Sequence, residues 1–223
     1  MKEYKLLWCV RNKIVLIHNI GWNSMSEFIF KVVAIGDGGV GKTSIAMRYA
    51  YDKFDPKYKA TIGVSYAVKK LFHGDTKITL SILDTGGQEM FDYIRPFYYK
   101  GASGAIIVYD ITREKSFKNL DRWFDNLYPQ TGEIPVILVG NKTDLIDERV
   151  ISIEEGTDYA MHKGVIFYET SAKTGENVVD VMNELAKVIF QEKEKVKVLA
   201  EKPMKSANKE KTGASRFKKW LFK

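Results

Sequence analysis

One segment constrains this chain more than any other: Gly36-Asp37-Gly38-Gly39-Val40-Gly41-Lys42-Thr43, which fits G-x-x-x-x-G-K-[S/T]. It follows an apolar run at 29–35 and leads into a stretch of helical spacing from Thr43. In that setting the glycines let successive backbone N–H groups turn inward around phosphate oxygens, and the helix N-terminus adds its positive dipole end. Lys42 then reaches the β- and γ-phosphates, and the Thr43 hydroxyl serves as a Mg²⁺ ligand. Gly38, Gly39, Val40, Gly41, Lys42, Thr43 and Ser44 are the candidate phosphate-binding residues. The motif defines a nucleoside triphosphate site without choosing the base.

The rest of the chain agrees with a strand–loop–helix start. Short β-branched runs at 29–35, 64–72, 76–83, 105–109, 136–139 and 165–168 alternate with longer amphipathic stretches, which predicts a parallel sheet wrapped by helices. His73-Gly74-Asp75 supplies turn residues between the second and third runs, so these two should be antiparallel neighbours and the others parallel. Phe117, Leu120, Phe124 and Leu127 recur on one helical face, as do Val178, Val181, Met182, Leu185, Val188 and Ile189. Both stripes are read as core-facing.

The base is chosen by Asn141-Lys142-Thr143-Asp144, at the end of the fifth run, where ligands bind in open α/β sheets. An aspartate accepts hydrogen bonds from the N1–H and N2–H₂ edge of guanine, whereas adenine would leave that carboxylate facing an acceptor. Asn141 is read as a tie between loops that approaches the base N7, and the stem of Lys142 as lying on the ring face. Ser171-Ala172-Lys173, after the sixth run, offers the Ala172 backbone N–H to the guanine O6. Asp84, in Asp84-Thr85-Gly86-Gly87-Gln88-Glu89, brings a carboxylate near the metal, and the backbone of Gly87 can follow the γ-phosphate. Gln88 is placed to orient an attacking water, and Thr61 to give Mg²⁺ a second hydroxyl. Gln88, Lys42 and Thr61 are the candidate catalytic residues.

Charge and composition narrow the remaining classes. The net charge of +7 lies wholly beyond residue 190, where eleven Lys and Arg stand against four Glu, so a nucleic-acid-binding face is not expected. The single cysteine, Cys9, allows no disulfide framework and fits a reducing compartment. No apolar run long enough to span a bilayer appears. Residues 1–24 add nothing the fold needs and read as an extension ahead of a start at Met25. Residues 25–191 form the domain, and 192–223 a basic, largely disordered tail.

With these residues assembled, the chain from Phe28 to about Gln191 resembles the Ras superfamily of small GTPases, and the Rab branch most closely. Ala60-Thr61-Ile62-Gly63-Val64, Phe97-Tyr98-Tyr99-Lys100-Gly101-Ala102 and Ile107-Val108-Tyr109-Asp110-Ile111-Thr112 carry the likeness. The resemblance implies the three-layer sandwich of the P-loop NTPases, with a six-stranded, mostly parallel sheet. It also implies a Mg²⁺-dependent GTPase switching between GTP and GDP in trafficking or signalling, with effector, GTPase-activating and nucleotide-exchange proteins as partners. Phe54 would pack edge-on against the guanine, residues near Thr61 would form switch I, and Gly87 to Tyr99 would form switch II.

Three departures stand out. Rab proteins carry Trp before the switch II Asp and Ala after the Thr, where this chain has Leu83 and Gly86. Switch I offers Lys53, Lys57 and Lys59 but no arginine, so slow hydrolysis and dependence on an activating protein are expected. The C-terminal residues hold no cysteine for a prenyl group. Instead Ser215-Arg216-Phe217-Lys218-Lys219-Trp220-Leu221-Phe222-Lys223 mixes basic and bulky apolar residues suited to an anionic membrane surface. The resulting expectation is a cytoplasmic monomer, peripheral at the cytosolic membrane face. The competing reading is a non-hydrolysing guanine-nucleotide-dependent interaction module.

Overall fold

A computed structural model describes residues 7–10, 13–16, 27–58, 61, 63–86 and 95–201. The predicted runs become β3 (Glu27–Ile35), β4 (Val64–His73), β5 (Thr76–Thr85), β6 (Gly104–Asp110), β7 (Val136–Asn141) and β8 (Ile166–Thr170). They form one sheet in the order β4-β5-β3-β6-β7-β8. Only β4 and β5 pair antiparallel, across a two-residue connection in which Gly74 adopts φ +57°. The other pairs are parallel.

β3 has β5 on one side and β6 on the other, so the chain reverses its direction of travel across the sheet immediately after β3. Such a reversal opens a crevice at the carboxyl ends of the strands, and residues 36–41 fill it. The following helix is α1 (Lys42–Tyr51). On the other side of the sheet from α1 lie α2 (Arg95–Tyr99), α3 (Glu114–Lys118), α4 (Leu120–Thr131) and α5 (Ile153–Lys163), while α6 (Val178–Glu201) shares α1's side.

Strand alternation sends side chains to two separate cores. Val32 and Ala34 join Ile45, Ala46, Val181, Leu185 and Ile189 beneath α1 and α6. Val33 and Ile35 join Tyr99, Trp123, Phe124 and Leu127 beneath α2 and α4. Every residue of β6 and β7 is buried, as a strand covered on both faces requires. Ser152 and Glu155 form a reciprocal capping box that starts α5.

Three findings differ from the sequence reading. The stripe from Phe117 to Leu127 is split between α3 and α4 at Asn119, whose side chain leaves the helix surface to reach Asp37. Helix α6 continues to Glu201, into the span expected to be disordered. The segment Glu192-Lys193-Glu194-Lys195-Val196-Lys197-Val198-Leu199-Ala200-Glu201 contains no helix breaker and has Glu and Lys three apart. Third, β1 (Leu7–Val10) and β2 (Lys13–Leu16) make a two-stranded antiparallel ribbon within 1–24 that shares no pairing with the main sheet. Leu7, Trp8, Val10, Ile14 and Val15 are strand formers on both sides of a two-residue gap. Among the described residues no helix is long and apolar enough to cross a membrane.

Candidate nucleotide-binding site

The loop after β3 keeps its shape through glycine. Gly36, Gly39 and Gly41 take φ +140°, +78° and +101°, values that side-chain-bearing residues rarely adopt. Lys42 turns back over the loop, its Nζ donating to the carbonyls of Gly36 and Asp37 at 2.9 Å each. From the outside, Trp123 Nε1 and Asn119 Nδ2 donate to the two oxygens of Asp37 at 2.9 and 2.8 Å, and Arg113 donates to the Gly38 carbonyl at 2.8 Å. Nothing in local spacing flags these braces, because they join residues 75 to 86 positions apart.

Beside Lys42, three oxygens converge. Thr43 Oγ1 lies 2.6 Å from Thr61 Oγ1 and donates to Asp84 Oδ2, which Thr61 also meets at 3.3 Å. The other oxygen, Asp84 Oδ1, is buried and has no hydrogen-bond partner among the described residues. Burial pushes the Asp84 carboxyl above the usual carboxylate range, against the Thr43 and Thr61 hydroxyls and the Lys42 charge, which pull it down. Two hydroxyls and a carboxylate with an unused oxygen are a hard, all-oxygen donor set of the kind Mg²⁺ takes, so the residues present fit that ion.

A cavity of about 350 Å³ joins this loop to the ends of β7 and β8. Gly39, Gly41, Ser44, Phe54, Asn141, Lys142, Asp144, Ala172 and Lys173, all singled out from sequence, line it, with Asp55, Pro56, Tyr58 and Leu145 completing the wall. Phe54 also packs on the core beneath α1. Asn141 holds the three motif segments together: its Nδ2 donates to the Val40 carbonyl at 2.8 Å, and its Oδ1 accepts from Thr170 Oγ1 at 3.0 Å and from the Ala172 N–H at 3.1 Å. The Ala172 N–H therefore already has an acceptor within the protein, and a base carbonyl would share it. Asp144 Oδ1 accepts from Ser171 Oγ at 2.6 Å, and its Oδ2 lies 3.4 Å from Lys173 Nζ.

Sequence reasoning missed two further supports. Lys142, at φ +80°, pairs with the buried Asp110 at 2.6 Å, which holds its stem at the cavity wall. Arg48 on α1 donates to the Ala172 and Lys173 carbonyls at 3.0 and 2.6 Å, fastening the last motif to the first helix. Gly87 and Gln88 lie outside the described residues.

A glycine-rich loop at the reversal point of a parallel sheet, continuous through one cavity with the ends of two more strands, defines a P-loop nucleotide-binding α/β protein. Residues 31–191 match the model of the Ras family. Ras-related protein Rab-3A of Homo sapiens is 43% identical over 164 residues, which cover 73% of this chain and 74% of that protein. The chain belongs to the Ras family and is a Rab-like small GTPase, a GTP-binding switch of trafficking or signalling with effector and regulator proteins as partners.

Proposed function

We propose that this GTPase selects guanine through Asp144, holds the β- and γ-phosphates with residues 36–43, and carries Mg²⁺ between Thr43, Thr61 and Asp84. The observation that supports this reading best is the single cavity in which the glycine-rich loop, Asn141-Lys142-Thr143-Asp144 and Ala172-Lys173 meet. Mg²⁺ bound there would neutralise charge on phosphate oxygens. The chain's own residues do the rest. Lys42 places a charge against the same phosphates, Asn141 sets the distance between the phosphate loop and the base loop, and Gln88 orients the attacking water.

Thr61 is the link to partners. Because its hydroxyl stands within hydrogen-bond distance of both Thr43 and Asp84, the loop that carries it is held when those groups share a ligand and released when they do not. We assign residues 25–191 to the GTPase domain of a cytoplasmic monomer.

The test is competition of GDP, GTP and ATP for purified protein in Mg²⁺, followed by phosphate release from bound GTP. Guanine nucleotide is expected to exclude ATP, with slow release of phosphate. Equal affinity for ATP would overturn the assignment of Asp144, and binding without release, even beside an activating protein, would favour the non-hydrolysing module. We further propose peripheral contact of the basic segment 215–223 with anionic membrane. Co-sedimentation with acidic liposomes checks it, and equal binding by protein ending at Gly213 refutes it.

A further inference from the structure

We propose that Arg48 is a positioning residue for the base: it aims the Ala172 N–H at the guanine O6 and so sets how long guanine nucleotide stays bound. Its guanidinium is committed on every nitrogen. Nε donates to the Ala172 carbonyl at 3.0 Å and Nη2 to the Lys173 carbonyl at 2.6 Å, while Nη1 donates to Asp52 Oδ1 at 2.9 Å. One edge of the fork thus takes two successive carbonyls, and the carboxylate on the remaining nitrogen fixes the direction in which that edge points.

The residues held in this way stand in the cavity wall. Ala172 is buried, so its carbonyl needs a donor from within the protein, and Arg48 Nε provides one. On the other side, the Ala172 N–H is accepted by Asn141 Oδ1 at 3.1 Å. The peptide before Ala172 is held by Asn141 and the peptide after it by Arg48, which together fix the direction of the N–H that a base carbonyl would share. The chain that follows folds over the arginine stem, where a Cβ on Gly175 would stand 3.7 Å from Arg48 Cδ.

Arg48 also sets the distance of this N–H from the phosphates. It lies in the last turn of α1, five residues after Thr43 and about 8 Å further along the axis, so the helix that begins at the phosphate loop carries near its other end the group that grips the base loop. Asp144 is held by other means. Its partner Ser171 donates through its N–H to the Glu176 carbonyl at 3.2 Å and accepts from the Gly175 N–H at 2.8 Å. Loss of Arg48 should therefore disturb the contact to O6 and spare the contact to the 2-amino group. This role rests on the guanine-nucleotide reading above.

2-Aminopurine riboside diphosphate separates the two contacts, because it keeps the 2-amino group and the diphosphate but has no O6. The variants are Arg48→Gln, which loses the charge and the fork, and Arg48→Lys, whose ammonium keeps the charge without a rigid fork to span two carbonyls. Dissociation of each labelled nucleotide from the full chain, chased with excess unlabelled GDP, is a rate and is insensitive to any fraction that fails to fold. Arg48→Gln is expected to release GDP at least about tenfold faster than wild type and the analogue no more than about threefold faster, with Arg48→Lys between. Equal acceleration for both nucleotides would reduce Arg48 to a structural brace and overturn the inference, as would unchanged release of GDP. Wild-type protein that releases GDP and the analogue at the same rate would instead show that O6 is not read, and wild type that binds neither would overturn the nucleotide site itself.

Discussion

Asp144→Asn is expected to weaken GDP binding by roughly 10²–10³-fold. Two charge-assisted hydrogen bonds to the guanine edge are at stake, each worth about 1.5–3 kcal/mol, and asparagine replaces one acceptor with a donor that faces another donor. The fold should survive, because Ser171 Oγ, now 2.6 Å from Asp144 Oδ1, can donate to an asparagine carbonyl oxygen just as well. The same change should create a preference. Xanthine has a carbonyl where guanine has its amino group, and an asparagine amide can accept from N1–H while donating to that carbonyl. Competition titrations with GDP, xanthosine diphosphate and ADP give the answer in one set of curves. Unchanged GDP affinity in the variant would mean that Asp144 does not read the base.

Gly36→Ala should cost about 3 kcal/mol of stability and lower the melting temperature by roughly 6–12 °C. The residue adopts φ +140°, and a Cβ built there lands on the backbone carbonyl of Val108, in the strand beside β3. Backbone cannot rotate out of the way as a side chain can, so either β3 and β6 part or the loop changes course. Nucleotide binding should fall with it, since Lys42 rests on the Gly36 carbonyl. Gly63→Ala is the matched control: φ is +85°, but among the described residues nothing lies within 4 Å of its added Cβ, which leaves backbone strain of about 1–2 kcal/mol. Equal melting temperatures for the two variants would refute the steric argument.

The six main strands were legible because each is a β-branched run bounded by turn residues, and in β6 and β7 burial on both faces leaves few polar positions to confuse the pattern. The site was legible where chemistry imposes spacing, as in the glycine-rich loop and in the asparagine and aspartate that face one cavity. What escaped notice is tertiary. Asp37 reads as any loop residue until Asn119 and Trp123 fold onto it, and a stripe of apolar residues cannot reveal that one polar residue within it interrupts the helix. The Arg113 brace is silent in the sequence because no periodicity marks a guanidinium that reaches across 75 residues to a carbonyl. The length of α6 beyond residue 191 is not legible, since a Lys- and Glu-rich composition suits both a solvated coil and a solvated helix.

The course of α6 also has a mechanical side. Phe190 is the last of its described side chains to be buried, yet the helix runs on to Glu201, about 16 Å further at 1.5 Å per residue. Those turns act as a strut. They set how far from the nucleotide body the following chain begins, and in which direction it departs, because each residue added or removed swings that departure by about 100°. A partner that grips both the body and the tail would therefore measure the strut's length in whole turns: a four-residue insertion would nearly restore the heading, whereas a two-residue insertion would point the tail almost the opposite way.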